Sequence, residues 1–557
     1  MFWHTITTNS PSCTMDHISP TDYFVNKTIV QWVLVGITVF AFVEWCTFLY
    51  LNIKTFLNVL KNPDSTTGTG RTVFVMVAYV AIRCMFLPFY LAGAFIDIPV
   101  YGQYQPLLYK VAAVILTVWW NLVILLPCVT VWYSRLRYGI GNKALPDSRE
   151  KYNFVIILPV YNETLELLVE GVDSMLKSNY DKTLMQIHVA FDNDEFTKLY
   201  LDFAEHYKLD IVESSNSVST VVGGVVVWVH RFSHSGKRLT QAKTWEFVKE
   251  SCTYKADRTI LLFTDSDNYM YDNAMKNLAY NFERNPEKLA FAGYMTCMSS
   301  GWGSLNPWRL LQDTEYVGGE MNRAFELLMG TVNCLPGGFT AMRWQAFESV
   351  ADKYFTNLAD DTITDYHRNY LGEDRYLTHI MHQYLPRHSM GFCPSARCKT
   401  DPPTQLMKLV TQRRRWYLGA LSNEAYMFTD KLIWKKYKVM VVYKFMQLCL
   451  WRSFTISQCI LAILMFNGMN FSSGWSGISS QVLAMVIPLA LSWILISITG
   501  IKLDHYKVIF VYPLSHIPQT VIALLVDWKV VFSFKERSWG GSRMQKAAPL
   551  VVGVDNV

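Results

Sequence analysis

At 557 residues the chain is too long for one ordinary domain. Hydrophobic residues make up 51%, aromatics 15% and charged residues only 17%, a balance that long apolar runs explain better than one large core. The net charge of +6 is mild and its basic residues cluster beside apolar runs. That pattern excludes nucleic acid as the expected partner and reads as the positive-inside bias of a multi-pass α-helical membrane protein.

The eleven cysteines fit the same reading. Cys46, Cys84, Cys128, Cys449 and Cys459 fall in apolar runs, five others fall in the central region, and only Cys13 lies in the N-terminal tail. No disulfide framework is implied. Cys393 and Cys398, with His388 nearby, have no second ligand pair to complete a zinc site.

In chain order, residues 1–28 form an expected extracytosolic tail. It carries the glycosylation sequon Asn26-Lys27-Thr28. The first apolar run begins too late, and without a basic leader, for a cleaved signal peptide. Residues 29–133 hold three runs, Ile29–Leu51, Thr72–Ile96 and Leu107–Tyr133. Each is long enough to cross a hydrocarbon core of about 30 Å as a helix. The first connecting loop carries Lys54, Lys61 and Arg71, the second (Asp97–Pro106) carries no Lys or Arg, and Arg135 and Arg137 follow the third run. The expected topology has the N-terminus outside and the first loop and central region in the cytosol. Glu44 and Arg83 lie inside the runs, where charges face a bundle interior or an aqueous path, or else pair or snorkel.

Residues 134–438 change character. The strand-like runs Phe154–Leu158, Ile187–Phe191 and Thr259–Phe263 alternate with helical segments, which predicts a parallel α/β sheet. Residues 439–503 hold two further spans, Val439–Phe466 and Gln481–Leu503. In 504–557 the apolar run Val508–Phe532 is broken by Pro513, His516 and Pro518, which favours a kinked interfacial or re-entrant segment over a full crossing.

The chemistry-bearing residues follow strand ends. The first strand runs into Leu158-Pro159-Val160-Tyr161-Asn162-Glu163, the second into Asp192-Asn193-Asp194, the third into Asp265-Ser266-Asp267. Two carboxylates at i and i+2 past a buried strand can share one hard divalent cation. Between them, His234-Ser235-Gly236-Lys237-Arg238 places two cations behind a glycine, which suits a diphosphate or, alone, a solvated turn. Cys334-Leu335-Pro336-Gly337-Gly338-Phe339 forces a tight turn. Gly372-Glu373-Asp374-Arg375 opens a helix over Tyr376–Gln383, where a carboxylate is a cap or a general base. In Thr411-Gln412-Arg413-Arg414-Arg415-Trp416, helical spacing puts Gln412, Arg415 and Trp416 on one face, while Arg413 and Arg414 project elsewhere, toward lipid phosphate or carboxylates.

This ordered series, bracketed by membrane spans, resembles the processive family-2 glycosyltransferases, the chitin, hyaluronan and cellulose synthases. Glu373-Asp374-Arg375-Tyr376-Leu377-Thr378, the Q-R-R-R-W form and Cys334-Leu335-Pro336-Gly337 look most like chitin synthases. Trp416-Tyr417-Leu418-Gly419-Ala420 with Asn423-Glu424 looks closer to fungal type-2 glycosyltransferases of cell-surface polysaccharide. The resemblance covers about Tyr152 to Arg543.

The resemblance implies a cytosolic α/β GT-A-type (Rossmann-like) domain in a multi-pass plasma-membrane protein. It would take a UDP-sugar as donor and a growing polysaccharide as acceptor. Tyr161, Glu163 and Asp192 would line the uridine pocket, and Lys237 and Arg238 would approach the diphosphate. Asp265 and Asp267 would hold Mg²⁺ or Mn²⁺. Asp374 would be the base, positioned by Glu373 and Arg375. Gln412 and Arg415 would face the nucleotide, and Trp416, Gly337 and Gly338 the acceptor.

Transfer by direct displacement implies inversion, with the product passed outward through the helices. Ser538-Trp539-Gly540-Gly541-Ser542-Arg543 resembles the family's W-G-T-R gating loop, which gives Trp539 and Arg543 a gating role, although Gly-Ser stands where the pattern has one Thr. Few spans follow the central region. The expectation is a minimal C-terminal bundle, or one completed by an accessory subunit or a second copy of the chain. The expected product is a β-linked cell-surface polysaccharide, with chitin from UDP-N-acetylglucosamine or a hyaluronan-type polymer as alternatives. From another class, a transporter or scaffold with a degenerate nucleotide fold would be expected to have lost one of Asp265, Asp267, Asp374, Gln412, Arg415 or Trp416, and all are present.

Overall fold

The computed structural model describes residues 29–85, 144–149, 151–211, 214–298, 305–356, 362–450 and 475–537, with isolated positions 87, 126, 127 and 129. Asn26, most of the third apolar run, and Trp539 and Arg543 lie outside the described residues.

Helices α1 (Ile29–Lys61) and α2 (Thr69–Met85) come first. The central region then runs β1 (Asn153–Val160), α3 (Leu165–Leu176), β2 (Met185–Phe191), α4 (Lys198–His206), β3 (Ser217–Val222) and β4 (Val225–Arg231). Next come α5 (Lys237–Ser251), β5 (Thr259–Thr264), β6 (Asn268–Met270), α6 (Ala274–Arg284), β7 (Ala290–Cys297) and α7 (Pro307–Leu328). After β8 (Phe339–Arg343), α8 (Trp344–Phe355) and α9 (Ile363–Tyr366), a π-helical turn (His367–Leu371) leads through Gly372 into α10 (Glu373–Tyr384). The chain continues through β9 (Met390–Thr400), α11 (Leu406–Thr429), α12 (Lys431–Lys436), α13 (Lys438–Leu450), α14 (Trp475–Lys502) and α15 (Val508–Ser533).

The nine strands form one sheet in the order β3-β4-β2-β1-β5-β8-β7-β9-β6. Four neighbours, β4, β2, β1 and β5, are parallel, as the sequence pattern predicts. The expected all-parallel sheet is corrected beyond β5: β8 runs antiparallel to both β5 and β7, and β6 runs antiparallel to β9.

Alternation along the strands builds two cores. Phe154, Ile156 and Leu158 face α3 and α6 through Leu168, Val172 and Phe282. Val155, Ile157 and Phe263 face α5, α8 and α10 through Trp245, Phe347 and Ile380. A third core joins α1 and α2 to α11 and α13, through Trp45, Phe48, Tyr79, Tyr426 and Met440.

Helix α1 extends ten residues beyond the apolar run that predicted it. Among the described residues, no single helix is long and apolar enough to cross a membrane. One bent pair, Val508–His516 with Pro518–Ser533, passes by length and composition, with a 56° bend. This is α15, whose Pro513 and Pro518 each remove a backbone donor, so a kink rather than a break results.

Candidate active site

Strands β2, β1 and β5 lie side by side and parallel, so their carboxyl ends share one edge of the sheet. Each passes at once from buried apolar residues to the polar groups noted above. Asp265 follows β5 directly. Its Oδ1 lies 2.6 Å from Lys237 Nζ, at the start of α5, and Lys237 also lies 3.2 Å from Glu373 Oε1. Burial opposes the Lys237 charge, but Asp265 and Glu373 outweigh it and raise the ammonium above its ordinary value. Asp267 Oδ2 accepts from Thr400 Oγ1 at 2.9 Å, and Glu163 Oε2 accepts from Ser266 Oγ at 3.1 Å.

The two glycines of the Pro-Gly-Gly turn press against this cluster. A Cβ on Gly337 would lie 2.9 Å from Lys237 Nζ, and one on Gly338 would lie 3.1 Å from Asp265 Oδ2 and 2.8 Å from Asn268 Nδ2. Glycine is needed here because the backbone passes closer to charged tips than a side chain permits. Asp374 sits in the first turn of α10, which has no side-chain cap at Gly372. Its Oδ1 accepts the Arg375 backbone N–H at 2.8 Å, and its Oδ2 faces the Cys334 thiol at 3.4 Å. Burial and then the neighbouring Asp374 push the Cys334 thiol up, so it stays neutral and donates. Arg375 lies 3.7 Å from Glu424 on α11.

Two residues expected to touch the nucleotide are otherwise placed. Asp192 is 3% exposed and both its oxygens hold the turn before α5. Oδ1 accepts from Ser235 N and Thr240 Oγ1, each at 2.8 Å, and Oδ2 accepts from Gly236 N at 3.0 Å. It therefore shapes the turn that presents Lys237. Arg238 is turned inward: it is buried and donates to Tyr354 O at 2.7 Å and Thr356 O at 3.3 Å, at the end of α8. Consecutive helical residues point about 100° apart, which separates the Lys237 ammonium from the Arg238 guanidinium. Tyr161 is 42% exposed and stacks on His234 with ring centroids 4.7 Å apart.

The Q-R-R-R-W segment lies on α11 as predicted, and the structure accounts for its middle arginines. Arg413 has the expected kind of carboxylate partner, Glu315 Oε2 at 2.6 Å, but it stays with the motif's own face, lying 4.0 Å over the Trp416 ring and donating to Gln412 Oε1 at 2.7 Å. The Tyr316 ring meets Trp416 edge-on at 6.3 Å. Arg414 is 2% exposed and points the other way, donating to the Ser533 carbonyl at 2.6 Å and the Glu536 carbonyl at 3.3 Å. A cation on the last carbonyls of α15 is favourable at a helix C-terminus. Gln412, Arg415 and Trp416 are all half-buried.

Sequence reading missed the joint between α10 and α11. A Cβ on Gly419 would lie 2.7 Å from Gly372 Cα, so the two backbones touch where these glycines meet. Asn423 Nδ2 donates to Gly372 O at 3.1 Å and to its own helix at Gly419 O, 2.9 Å away. The i, i+4 spacing of Gly419 and Asn423 was the signal available.

A family model described as chitin synthase matches residues 243–549, which include the D-x-D, Pro-Gly, E-D-R and Q-R-R-R-W segments. Chitin synthase 7 of Verticillium dahliae is 30% identical over 547 residues, covering 94% of this chain and 76% of the relative. Chitin synthase VI of Metarhizium acridum is 31% identical over 452 residues, covering 77% of this chain and 69% of the relative. Chitin synthase 6 of Gibberella zeae is 28% identical over 551 residues, covering 94% and 68%. A solved mannosyltransferase from Pyrobaculum calidifontis, in complex with GDP-Man and Mn²⁺, aligns at 14% identity over 72% of this chain and 98% of that chain. Its TM-score is 0.41, and at that level the likeness carries no weight on ligand or reaction. A match over more than half of the chain, with a relative at 30% identity along nearly its whole length, places this chain in the chitin synthase family.

Proposed function

We propose that this protein is a polysaccharide synthase that extends chitin from UDP-N-acetylglucosamine by inverting transfer. The family narrows the broader expectation of an unspecified β-linked polymer to its chitin alternative. The observation that carries the reading is the convergence of Lys237, Asp265, Glu373 and Asp374 beside the Gly337-Gly338 turn.

The chemistry follows from that placement. Direct displacement at the anomeric carbon needs one base and a stabilised leaving group. The acceptor hydroxyl gives its proton to the Asp374 carboxylate as its oxygen bonds to the anomeric carbon and the bond to the diphosphate breaks. The Arg375 backbone N–H on Oδ1 and the Cys334 thiol on Oδ2 hold the carboxylate in place. Lys237, kept charged by its carboxylate neighbours, sits where the departing diphosphate gathers charge. Trp416, held by Arg413 and Tyr316, is the aromatic group the family resemblance assigns to the acceptor sugar.

The residues present fit a divalent cation. Asp265 and Asp267 supply hard oxygen donors at one strand end, Asp265 held through Oδ1 by Lys237 and Asp267 through Oδ2 by Thr400. Mg²⁺ or Mn²⁺ held there would supply positive charge to the diphosphate.

A cytosolic site under a plasma-membrane bundle completes the proposal, with the polymer passed outward. Its support is the apolar surface of the long helices. Val39, Phe40, Phe42 and Val43 on α1 and Leu491, Trp493 and Ile494 on α14 are exposed. The α1–α2 loop also packs on the central region, as it would if both lay on one side of a membrane.

The test is to incubate membranes containing the protein with single UDP-sugars and Mg²⁺ or Mn²⁺. UDP release from UDP-N-acetylglucosamine with a chitinase-sensitive product is expected. A hyaluronidase-sensitive product would replace the polymer. Absence of UDP release from every donor would favour the transporter or scaffold reading.

A further inference from the structure

The loop joining α1 and α2, with the helix ends that flank it, reaches the segment that leads into α10 and the end of α11. Asn58 donates to Thr364 Oγ1 and Asn62 to Asp365 Oδ2, each at 2.8 Å. Asp64 Oδ2 lies 2.7 Å from Arg368 Nη2. Thr66 Oγ1 donates to Asp430 Oδ2 at 2.7 Å, and Arg71 Nη1 donates to Thr429 O at 3.0 Å. The Asp430 carboxylate also meets His379 Nε2 of α10 at 3.3 Å.

Arg368 is the central tie. It is 5% exposed and lies in the π-helical turn that runs into Gly372, Glu373 and Asp374. Single π-turns concentrate at functional sites because they hold a segment in an otherwise disfavoured register. The guanidinium stacks 3.9 Å over Tyr426 of α11 and 4.9 Å over Tyr376 of α10. Its own carbonyl accepts from Asn423 at 3.3 Å. Asp64 is thus the carboxylate that compensates a buried cation at the root of the base helix.

We propose that Asp64, acting through Arg368, is a positioning residue for Asp374, so that the membrane-proximal loop sets the register of the base. The proposal rests on Asp374 being the base, as argued above. Removing Asp64 leaves Arg368 buried and uncompensated, a state a protein relieves by moving the segment. That segment is the turn before Asp374, whereas Lys237 and Asp265 stand on α5 and the end of β5. Turnover should therefore suffer and nucleotide binding should not.

The test compares Asp64→Ala with Asp64→Glu in the full-length protein. Asp64→Ala should lower kcat for UDP release by about 10- to 100-fold, the scale of an ångström-level misplacement, with KM for the donor and UDP affinity unchanged. Asp64→Glu should restore most of the loss. Unchanged kcat, or a joint fall of kcat and UDP affinity that Asp64→Glu does not repair, would overturn the proposal.

Hydrogen exchange gives a readout that needs no turnover. Amides 368–376 should exchange faster in Asp64→Ala, while those of α5 keep the wild-type rate. Equal exchange in the two proteins would sink the inference. Failure of the wild-type protein to release UDP would instead count against the proposed reaction.

Discussion

At the donor edge, Asp192, Lys237 and Asp265 stand at the ends of β2, the start of α5 and the end of β5, on a sheet buried on both faces. At the joint between α10 and α11, by contrast, Asp374 and Trp416 depend on one helix touching another at Gly372 and Gly419. The first arrangement is fixed by the pleat of a rigid sheet, and its groups are held by charge and backbone donors. The second is fixed by a contact without side chains, then tied by Asn423, Arg375–Glu424 and Asp64–Arg368. A sheet edge tolerates a lost polar group locally. A helix joint passes any displacement along the whole element.

The largest effect expected from that contrast is chemical. Asp374→Asn should reduce UDP release by about 100- to 10,000-fold, the usual worth of a positioned base, while UDP binding persists because the donor edge is untouched. Normal turnover in this variant would remove Asp374 as base and dissolve the distinction.

Gly419→Ala should come next. Its methyl would sit 2.7 Å from Gly372 Cα and 2.9 Å from Gly372 N, so the helices must separate. A loss of about 1–3 kcal/mol is expected by thermal unfolding, as for other overpacked contacts. Gly319→Ala on α7, with nothing within 4 Å, is the control and should not destabilise. Equal melting of both variants would show that the joint is looser than its backbone contact implies.

The smallest effect concerns acid and the donor half. His188 Nδ1 and His230 Nε2 lie 3.1 Å apart between β2 and β4, both fully buried. Burial lowers His230 to about 3, and burial followed by the His230 charge lowers His188 well below the ordinary value. Both folded values lie below the unfolded one, about 6.5, so the unfolded chain takes up protons first as pH falls. The stability they contribute is full above that pH and drains toward their folded values, by about 1.4 kcal/mol per pH unit for each group. The melting temperature should drop between pH 7.5 and 5.5, and His230→Phe should drop less. An identical drop in both would place the acid sensitivity elsewhere.

Legibility differed between these regions for physical reasons. β1, β2 and β5 were readable because a buried parallel strand is a short apolar run that ends at its ligands. The face shared by Gln412, Arg415 and Trp416 was readable because helical phase is local. Arg238 was misplaced because neighbouring cations look equivalent until a helix turns one of them inward. Cys334 gave no sign of its contact with Asp374, forty positions away in the chain.

The sequence by itself determined the elements and their order: apolar runs, acidic strand ends, the Pro-Gly-Gly turn, and a helix for each of the E-D-R and Q-R-R-R-W segments. Those follow from periods of two and 3.6 residues and from turn chemistry, which any short window contains. Only the tertiary structure decided that β8 turns antiparallel, that Arg414 closes the end of α15, and that Asp64 reaches Arg368. Each of these joins residues from separate parts of the chain, and a contact of that kind leaves no periodic trace in the residues that make it.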